Sequence, residues 1–214
     1  MNIKKISVVS VIFMLFCQFG FAQTNSSAEK VVDDLLESVK MSAIKTDFKL
    51  STKDKSDIIT QNVSGKFILK GNKFALEMNV LKAYFDGKTQ WSYYIRNNEV
   101  TITEPTEKEL SETNPLAILS AYRTKCKISF AKNPKSSQNH CVELVPKKST
   151  TDITKIELQV NKITDNLVSI KLINKDGGFS NLTVSNYLKD QKVTDNTFVF
   201  SSSKYKGIVI NDLR

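Results

Sequence analysis

The sequence predicts a mostly β protein of the α+β class, in which a few helices cover one side of a large, curled antiparallel sheet. Three observations support this fold. Apolar and polar residues alternate through most of the chain, turn-forming residues separate the alternating runs, and only short segments show a helical period. With 214 residues, the chain is long enough for one domain with its own core.

The first 22 residues have the pattern of a secretory signal peptide. Two lysines precede an apolar run that is too short to span a membrane, and the small residues Gly20 and Ala22 stand at the usual cleavage positions. We therefore expect residues 1–22 to be removed after export. Residues 23–214 should then form a single domain in the periplasm or outside the cell.

The first element after this segment is an amphipathic helix. Ser26 and Glu29 have the spacing of a capping box, and apolar residues recur at helical intervals from Ala28 onward. This helix should bury one face against the sheet. Strands are predicted next at Thr46–Thr52 and Ile58–Val63, with a charged turn between them.

The clearest alternation lies between Gly65 and Ile95. Its apolar residues form three runs at period two, and this period places each run on one side of a pleated sheet. The three runs are Phe67 and Leu69, then Phe74, Leu76 and Met78, then Trp91, Tyr93 and Ile95. Gly71 and Gly87 belong to the tight turns that separate them. We expect these side chains to form one aromatic and methionine-bearing wall.

A second group of strands fills the C-terminal half. The predicted strands are Glu99–Thr103, Lys125–Ala131, His140–Pro146, Ile153–Val160, Leu167–Asn174 and Phe179–Leu188, with short extended pieces at Thr197–Phe200 and Gly207–Ile210. One short helix interrupts them, because Asn114-Pro115 is a typical helix start. Leu116, Ile118 and Leu119 make that helix apolar.

Two cysteines remain after removal of the signal peptide, Cys126 and Cys141, and they flank a predicted hairpin. Their midpoint falls between Asn133 and Pro134, so a symmetric hairpin would set them opposite each other. We expect a disulfide, since export favours one, although only some strand pair types bring cysteines within reach. The alternative is a reactive thiol beside His140. It is disfavoured because neighbouring residues of a strand point to opposite faces.

The chain is basic, with a formal net charge of +9. Loss of Lys4 and Lys5 with the signal peptide would lower this charge to +7. Most of the lysines alternate with apolar residues, which indicates solvated strand faces. Attraction to an anionic bilayer or to an acidic partner remains the functional alternative. A nucleic-acid partner is not expected, because no basic-aromatic motif accompanies the charge.

The composition also argues against catalysis. The chain has one histidine, no glycine-rich phosphate loop and no metal-ligand spacing. The adjacent carboxylates Asp33 and Asp34 fall on the polar face of the first helix. We therefore expect no enzyme activity, no cofactor and no metal.

The order of these segments resembles the LolA-type outer-membrane lipoprotein carrier proteins. The resemblance covers nearly the whole mature chain: an amphipathic helix, then GKFILKGNKFALEM, DGKTQWSYY, the NPLAIL helix, VELVPK and NLTVSNYLKDQKVTDNTFVFSSSKYKGIVI. Its most specific parts are the DGKTQW hairpin around Asp86, Lys88 and Trp91, and the helix start at Asn114 and Pro115.

This resemblance implies an incomplete β-barrel, closed by helices around an apolar cavity. It implies a carrier that takes acylated lipoproteins from an inner-membrane ABC transporter and delivers them to an outer-membrane receptor or to the outer membrane itself. The aromatic wall would line the cavity, and the helix with Leu116, Ile118 and Leu119 would be its lid. We expect a monomer.

The chain departs from the family at one point. The family often has Lys-Arg-Pro after the strand that Gly65 opens, and the arginine holds the lid shut, whereas here Gly71 and Asn72 follow Lys70. The lid must therefore be held differently or be looser. The alternative function is a carrier or receptor for another apolar, lipid-like ligand, such as a LolB-like receptor. Such a receptor is ordinarily lipid-anchored, and Phe16 before Cys17 argues against an anchor.

Overall fold

A computed structural model describes residues 27–106, 109–110, 115–148 and 152–214. The predicted signal peptide lies outside these residues. The two longer helices are α1 (Ala28–Met41) and α2 (Pro115–Arg123). The strands are β1 (Ile44–Lys53), β2 (Ile59–Lys70), β3 (Lys73–Met78), β4 (Leu81–Phe85), β5 (Gln90–Tyr94), β6 (Glu99–Thr103), β7 (Cys126–Phe130), β8 (Asn139–Pro146), β9 (Ile153–Asn161), β10 (Leu167–Asn174), β11 (Phe179–Leu188) and β12 (Val209–Asp212).

The strands of the described residues form one 12-stranded sheet in the order β12-β6-β5-β4-β3-β2-β1-β11-β10-β9-β8-β7. All neighbours are antiparallel except β12, which pairs with β6 in parallel. The sheet is curled but not closed, because β12 and β7 stand at its two ends. This confirms the predicted mostly β fold and the incomplete barrel.

Helix α1 packs against the concave face of this sheet. Its apolar stripe is buried, as its helical period predicts, and consists of Ala28, Val31, Val32, Leu35 and Val39. The N-cap differs from the sequence prediction. The N-cap is Ser27, whose side chain accepts a hydrogen bond from the Lys30 amide at 3.0 Å. Ser26 lies outside the described residues.

Strand β2 is longer than the sequence indicated, since the predicted strand at Ile58–Val63 and the run opened by Gly65 form one element. The β3 backbone approaches Gly65 so closely that a Cβ there would collide with the carbonyl oxygen of Glu77. The sequence analysis also missed a strand. The segment Leu81–Phe85 is β4, which lies between the second and third apolar runs.

Two predictions about the C-terminal half are wrong. Thr197–Phe200 is not extended, because a 3₁₀ helix spans Asp195–Phe198 and buries the ring of Phe198. The predicted disulfide does not form, since Cys126 and Cys141 are both free. The reason is the register of the β7–β8 hairpin, in which Cys126 pairs with Pro146 and the Ala131 amide donates to the Cys141 carbonyl. The hairpin is centred at Ser136, so the two thiols lie at different levels of the ladder.

Candidate functional site: an apolar cavity inside the open barrel

A cavity of about 390 Å³ lies on the concave face of the sheet, beneath α2. Its walls come from β1, β2, β3, β4, β10 and β11, and α2 contributes one side. The volume falls within the roughly 300–1,000 Å³ that is typical of small-molecule sites. The fold therefore leaves an internal space between the sheet and α2, next to the packed core.

The wall of this cavity is apolar. Its aliphatic and aromatic members are Ile44, Phe48, Leu50, Val63, Phe67, Leu69, Leu76, Met78, Leu81, Leu116, Ile118, Leu167, Ile170, Leu172, Leu182, Val184 and Tyr187. None of the lining residues that the structure describes is charged. Such a wall favours hydrocarbon and offers no counter-charge to an ionic ligand.

The polar side chains of the wall are mostly engaged with the protein itself. The Thr46 hydroxyl donates to the Ser185 carbonyl oxygen at 2.8 Å. The hydroxyls of Thr52 and Ser180 lie 3.0 Å apart and share a hydrogen bond. These contacts reduce the polarity that the wall presents to a ligand.

Tyr187 is the exception. Its hydroxyl oxygen is buried and makes no hydrogen bond of good geometry within the described part of the chain. Burial raises the pKa of Tyr187 to about 12, and the nearby Ser38 hydroxyl opposes this shift. The phenol is therefore neutral at physiological pH and keeps its proton.

The lid prediction concerns α2, which begins at Pro115 as the sequence indicated. Leu116 and Ile118 line the cavity, whereas Leu119 is fully buried in the main core. The structure thus places two of the three predicted lid residues on the cavity wall. Whether α2 moves as a lid stays a prediction.

An ion pair joins the two helices. Arg123, at the C-terminal end of α2, donates from Nε and Nη2 to the two carboxylate oxygens of Asp33 on α1, at 2.6 and 2.8 Å. This fork geometry is the strong form of an arginine–carboxylate contact. The hydrogen bond to Arg123 lowers the pKa of Asp33, and burial opposes the shift. The pair lies at a different point from the family's usual arginine.

Four of the eight residues that the sequence assigned to the apolar wall line the cavity. Phe67, Leu69, Leu76 and Met78 all line the cavity. Phe74 is fully buried beside it, with its ring centroid 5.7 Å from that of Phe67 and 5.6 Å from that of Phe85. It supports the wall and is not a lining residue.

The placement of Trp91, Tyr93 and Ile95 on this wall is wrong. Tyr93 is buried in a second cluster on the opposite face of the sheet, Trp91 packs against that cluster, and Ile95 lies exposed beyond β5. The C-terminal segment covers this cluster, since the Tyr205 ring centroid lies 4.2 Å from that of Tyr93 and 5.1 Å from that of Phe200. These aromatics hold the C-terminal segment against the sheet.

The sequence analysis also missed lining residues. Strand β1 contributes Ile44, Phe48 and Leu50, and β11 contributes Leu182 and Val184. Both sets alternate at period two, and all of these residues except Ile44 lie within the predicted strands Thr46–Thr52 and Phe179–Leu188, so the signal was present. The sequence did not show that β1 pairs with β11, and this pairing joins the two halves of the wall. The two strands are far apart in the chain: Thr46 and Ser185, which share a hydrogen bond, are separated by 139 positions.

The family model described as "Outer membrane lipoprotein carrier protein LolA" matches residues 39–201, which is more than half of the chain. The chain belongs to the LolA family. Proteins of this family are carriers and not enzymes. The family match, like the cavity, therefore points to the binding of lipid-like or lipoprotein ligands. No curated protein matches the chain.

Solved structures resemble this chain at low sequence identity. An uncharacterized conserved protein from Thermus thermophilus has 10% identity and a TM-score of 0.57, with 86% of this chain and 98% of that chain covered. A putative outer membrane lipoprotein-sorting protein domain from Vibrio parahaemolyticus has 10% identity and a TM-score of 0.44, with 79% and 95% covered. MucB, in the MucA/MucB complex of Pseudomonas aeruginosa, has 10% identity and a TM-score of 0.45, with 82% and 61% covered. Only the first of these three is similar enough to support the shared fold.

Among the described residues, no helix is both long and apolar enough to cross a membrane. The same part of the chain contains no group of three or more His, Cys, Asp or Glu side chains that could hold a metal ion.

Proposed function

We propose that this protein is a periplasmic lipoprotein carrier. It shields the acyl chains of lipoproteins released by an inner-membrane ABC transporter and delivers them to the outer membrane, either through a receptor or directly. The observation that carries this proposal is the apolar cavity, with no charged residue among its described lining, in a chain of the LolA family.

The energetics of acyl transport support the need for such a cavity. Each buried methylene contributes about 0.8 kcal/mol, so an acyl chain of about a dozen or more methylenes does not cross water unaided. Aliphatic side chains and Met78 form broad, adaptable contacts that match no single ligand shape. This wall can therefore hold chains of different length and still release them.

The signal-peptide pattern of residues 1–22 supports a periplasmic location. No catalytic step is needed for this function. The protein has only to make the acyl chains more stable in its cavity than in water, and to release them at the outer membrane.

The experiment is a release assay with purified residues 23–214. Spheroplasts that carry a newly made triacylated lipoprotein are incubated with the protein, and released lipoprotein is measured in the supernatant. We expect release that depends on acylation, and transfer when outer-membrane vesicles are then added. Native mass spectrometry of the released complex should show the acylated protein bound.

Two neighbouring residues of β11 provide a matched pair of variants. Leu182 lines the cavity, whereas Thr183 is exposed on the other face. L182D should abolish release, because it places a charge in the apolar wall, and T183D should leave release intact. Binding of simple acyl probes without any lipoprotein release would contradict the proposal and favour a carrier for another apolar ligand.

A further inference from the structure

Three polar side chains of the cavity lie side by side on neighbouring strands. Strand pairing places Thr52 of β1 directly beside Gln61 of β2 on one side and Ser180 of β11 on the other. All three residues line the cavity. Directly paired residues share a face of the sheet, so these side chains form one continuous row across three strands. We call this set the polar row.

The polar row stands at the open end of the cavity. Along β2 the lining residues become more buried with distance from the row, from the exposed Gln61 to Phe67 (6% exposed) and Leu69 (3%). Strand β1 shows the same trend, from the half-buried Thr52 to Ile44 (1%). A ligand therefore enters past the polar row, and the cavity closes toward Ile44 and Leu69.

The next layer of the wall is entirely apolar. Two positions deeper on the same strands and on β10, the paired lining residues are Ile170, Leu182, Leu50 and Val63. A bound ligand thus meets hydrocarbon along its length and hydrogen-bonding groups where it leaves the cavity. An acyl ester has the same order of groups, because its carbonyl stands where the hydrocarbon chain ends.

The polar row has more hydrogen-bond donors than it uses. The hydroxyl oxygens of Thr52 and Ser180 lie 3.0 Å apart, and the Thr52 hydroxyl lies 3.5 Å from Oε1 of Gln61. Each hydroxyl carries one proton and the Gln61 amide carries two, so contacts within the row use at most two of the four. The Gln61 amide nitrogen makes no hydrogen bond to any other described residue. The row can therefore donate to an acceptor on the ligand.

That acceptor should be uncharged. No charged residue is among the described residues that line the cavity, so a carboxylate or phosphate at the polar row would lose hydration without gaining a counter-charge. A neutral carbonyl oxygen loses less on leaving water and accepts the available hydrogen bonds. The chemistry of the row therefore favours an ester carbonyl.

The depth of the wall fits one acyl chain. At about 3.3 Å per residue, β1 advances about 20 Å between Thr52 and Thr46. Two layers of acyl chains fill the roughly 30 Å hydrocarbon core of a bilayer, so one chain spans about 15 Å. A chain whose carbonyl lies at the polar row would therefore end between Phe48 and Thr46, within the lined part of the cavity.

We propose that the polar row binds the ester carbonyl of an acyl ligand, which enters the cavity tail first. This inference rests on the proposed function and names its ligand class as acyl esters. The diacylglyceryl group of a lipoprotein carries such esters, and so do glycerophospholipids. Thr52, Gln61 and Ser180 are then the residues that set the orientation of the ligand and select esters among apolar molecules.

The test compares methyl palmitate with hexadecyl methyl ether, which has the same length and lacks only the carbonyl oxygen. Each displaces a fluorescent acyl probe from purified residues 23–214. T52V/S180A removes both hydroxyls together, so neither is left without its partner. We expect the ester-to-ether affinity ratio to fall about tenfold in this variant. Comparing the ratio between two proteins cancels the different water solubility of the two ligands.

Thr183 of β11 provides the matched control. It is exposed on the other face of the sheet, and its hydroxyl donates to the Lys49 carbonyl oxygen at 3.4 Å. T183V also removes a hydroxyl from β11, and it should keep the ester-to-ether ratio of the unmodified protein. Circular dichroism and urea unfolding verify that both variants are folded.

A second measurement reports the orientation without changing the polar row. V63W/W91F places the tryptophan next to the row, and F67W/W91F places it on the same strand toward the closed end. Methyl palmitate brominated at its terminal carbon should quench the tryptophan of F67W/W91F more strongly. Stronger quenching in V63W/W91F would overturn the inference, since the ester would then lie at the closed end, beside the Tyr187 hydroxyl.

A diacylglyceryl-cysteine peptide and lysophosphatidylglycerol are titrated in parallel, because both carry acyl esters. T52V/S180A should weaken the one that the unmodified protein binds more tightly, and this identifies the source of the ester. Unchanged affinity for that ligand, or an unchanged ester-to-ether ratio, would overturn the inference.

The spheroplast assay separates this inference from the proposed function. Lipoprotein release, combined with an ester-to-ether ratio that does not depend on the polar row, would refute the inference and leave the carrier function standing. A ratio that depends on the polar row, without lipoprotein release, would support the inference and refute the lipoprotein carrier function.

Discussion

At the scale of single residues, strand pairing decides the face on which Trp91 lies. Leu76 of β3 faces the cavity and pairs with Ala83 of β4, which in turn pairs with Ser92 of β5. Directly paired residues share a face of the sheet, so Trp91 projects to the opposite face. The tryptophan thus belongs to the cluster under the C-terminal segment.

A fluorescence prediction follows from this position. Binding of an acyl ligand in the cavity should leave the emission maximum of Trp91 unchanged, because the sheet separates the ring from the ligand. The variant L182W/W91F places the tryptophan on the cavity wall and should shift to the blue when palmitate is added. A ligand-dependent shift of Trp91 itself would show that the assigned register of β5 is wrong.

The residues of the wall that the sequence predicted correctly lie on β2 and β3. A two-residue turn at Gly71, with φ of 61°, joins these strands and fixes which residues pair. The same reasoning failed for β5, since β4 was not recognised and β5 bears aromatic residues on both faces, Trp91 on one and Tyr94 on the other. Alternation shows that two faces exist, but only the pairing shows which face is inside.

At the scale of elements, α2 contains residues with two different roles. Ile118 is half-buried on the cavity wall, whereas Leu119 is fully buried in the core shared with α1. L119A should therefore destabilise the fold by about 2–5 kcal/mol, as is usual for a buried leucine. I118S should change stability much less and should speed the release of a bound acyl probe.

The measurements are urea unfolding followed by circular dichroism, and probe dissociation by stopped flow. A131S is a suitable control for dissociation because Ala131 lies outside the cavity lining. If I118S released the probe at the unmodified rate while remaining folded, the proposed lid role of α2 would be refuted.

The contact between Arg123 and Asp33 predicts how α2 is held without the family's usual arginine. The pair is partly exposed, so we expect it to contribute about 0.2–1 kcal/mol to the closed position of α2. D33R and R123D should each speed probe release by up to about fivefold, and D33R/R123D should restore much of the unmodified rate. Equal rates in all four proteins would show that the pair does not hold the helix.

The same pair predicts a pH dependence. The pKa of Asp33 is lower in the folded protein than its ordinary value of 3.8, so the contribution to stability is present above that value. It is lost as the pH falls through the lowered pKa, when the carboxylate takes up a proton. The variant D33N should remove this part of the acid dependence of probe release and leave release at neutral pH faster than in the unmodified protein.

The elements themselves were largely predictable, and their register was not. Leu167–Asn174 and Phe179–Leu188 have the bounds that alternation and the turn at Gly177 predict. The β7–β8 hairpin has an eight-residue connection (131–138), and nothing in its sequence sets the centre at Ser136. The predicted disulfide failed for that reason, since long connections leave the pairing to tertiary contacts.

At the scale of the whole molecule, the sheet has a core on each side. The larger one fills the concave face beneath α1 and α2, and the smaller one lies under the C-terminal segment on the outer face of β4, β5 and β6. The C-terminal segment packs against the face of the sheet opposite to the cavity, and none of the residues in this outer cluster lines the cavity.

An apolar cavity inside the barrel predicts that ligand binding stabilises the whole fold. A ligand that binds only the folded state, at a free concentration one hundred times its dissociation constant, stabilises by about 2.7 kcal/mol. For a domain of this size, each kcal/mol raises the melting temperature by about 2–4 °C. Palmitate at that concentration should therefore raise the melting temperature by about 5–11 °C, as measured by differential scanning calorimetry.

The β11 pair separates cavity binding from surface adsorption in this experiment. L182D should lose the palmitate-dependent shift, since a carboxylate in the wall disfavours hydrocarbon beside it, and T183D should keep the full shift on the exposed face. A shift retained by L182D would mean that palmitate stabilises the protein from outside the cavity. A shift lost by both variants would mean that T183D disturbs the cavity from the other face of β11, and the loss in L182D could then not be assigned to the cavity wall.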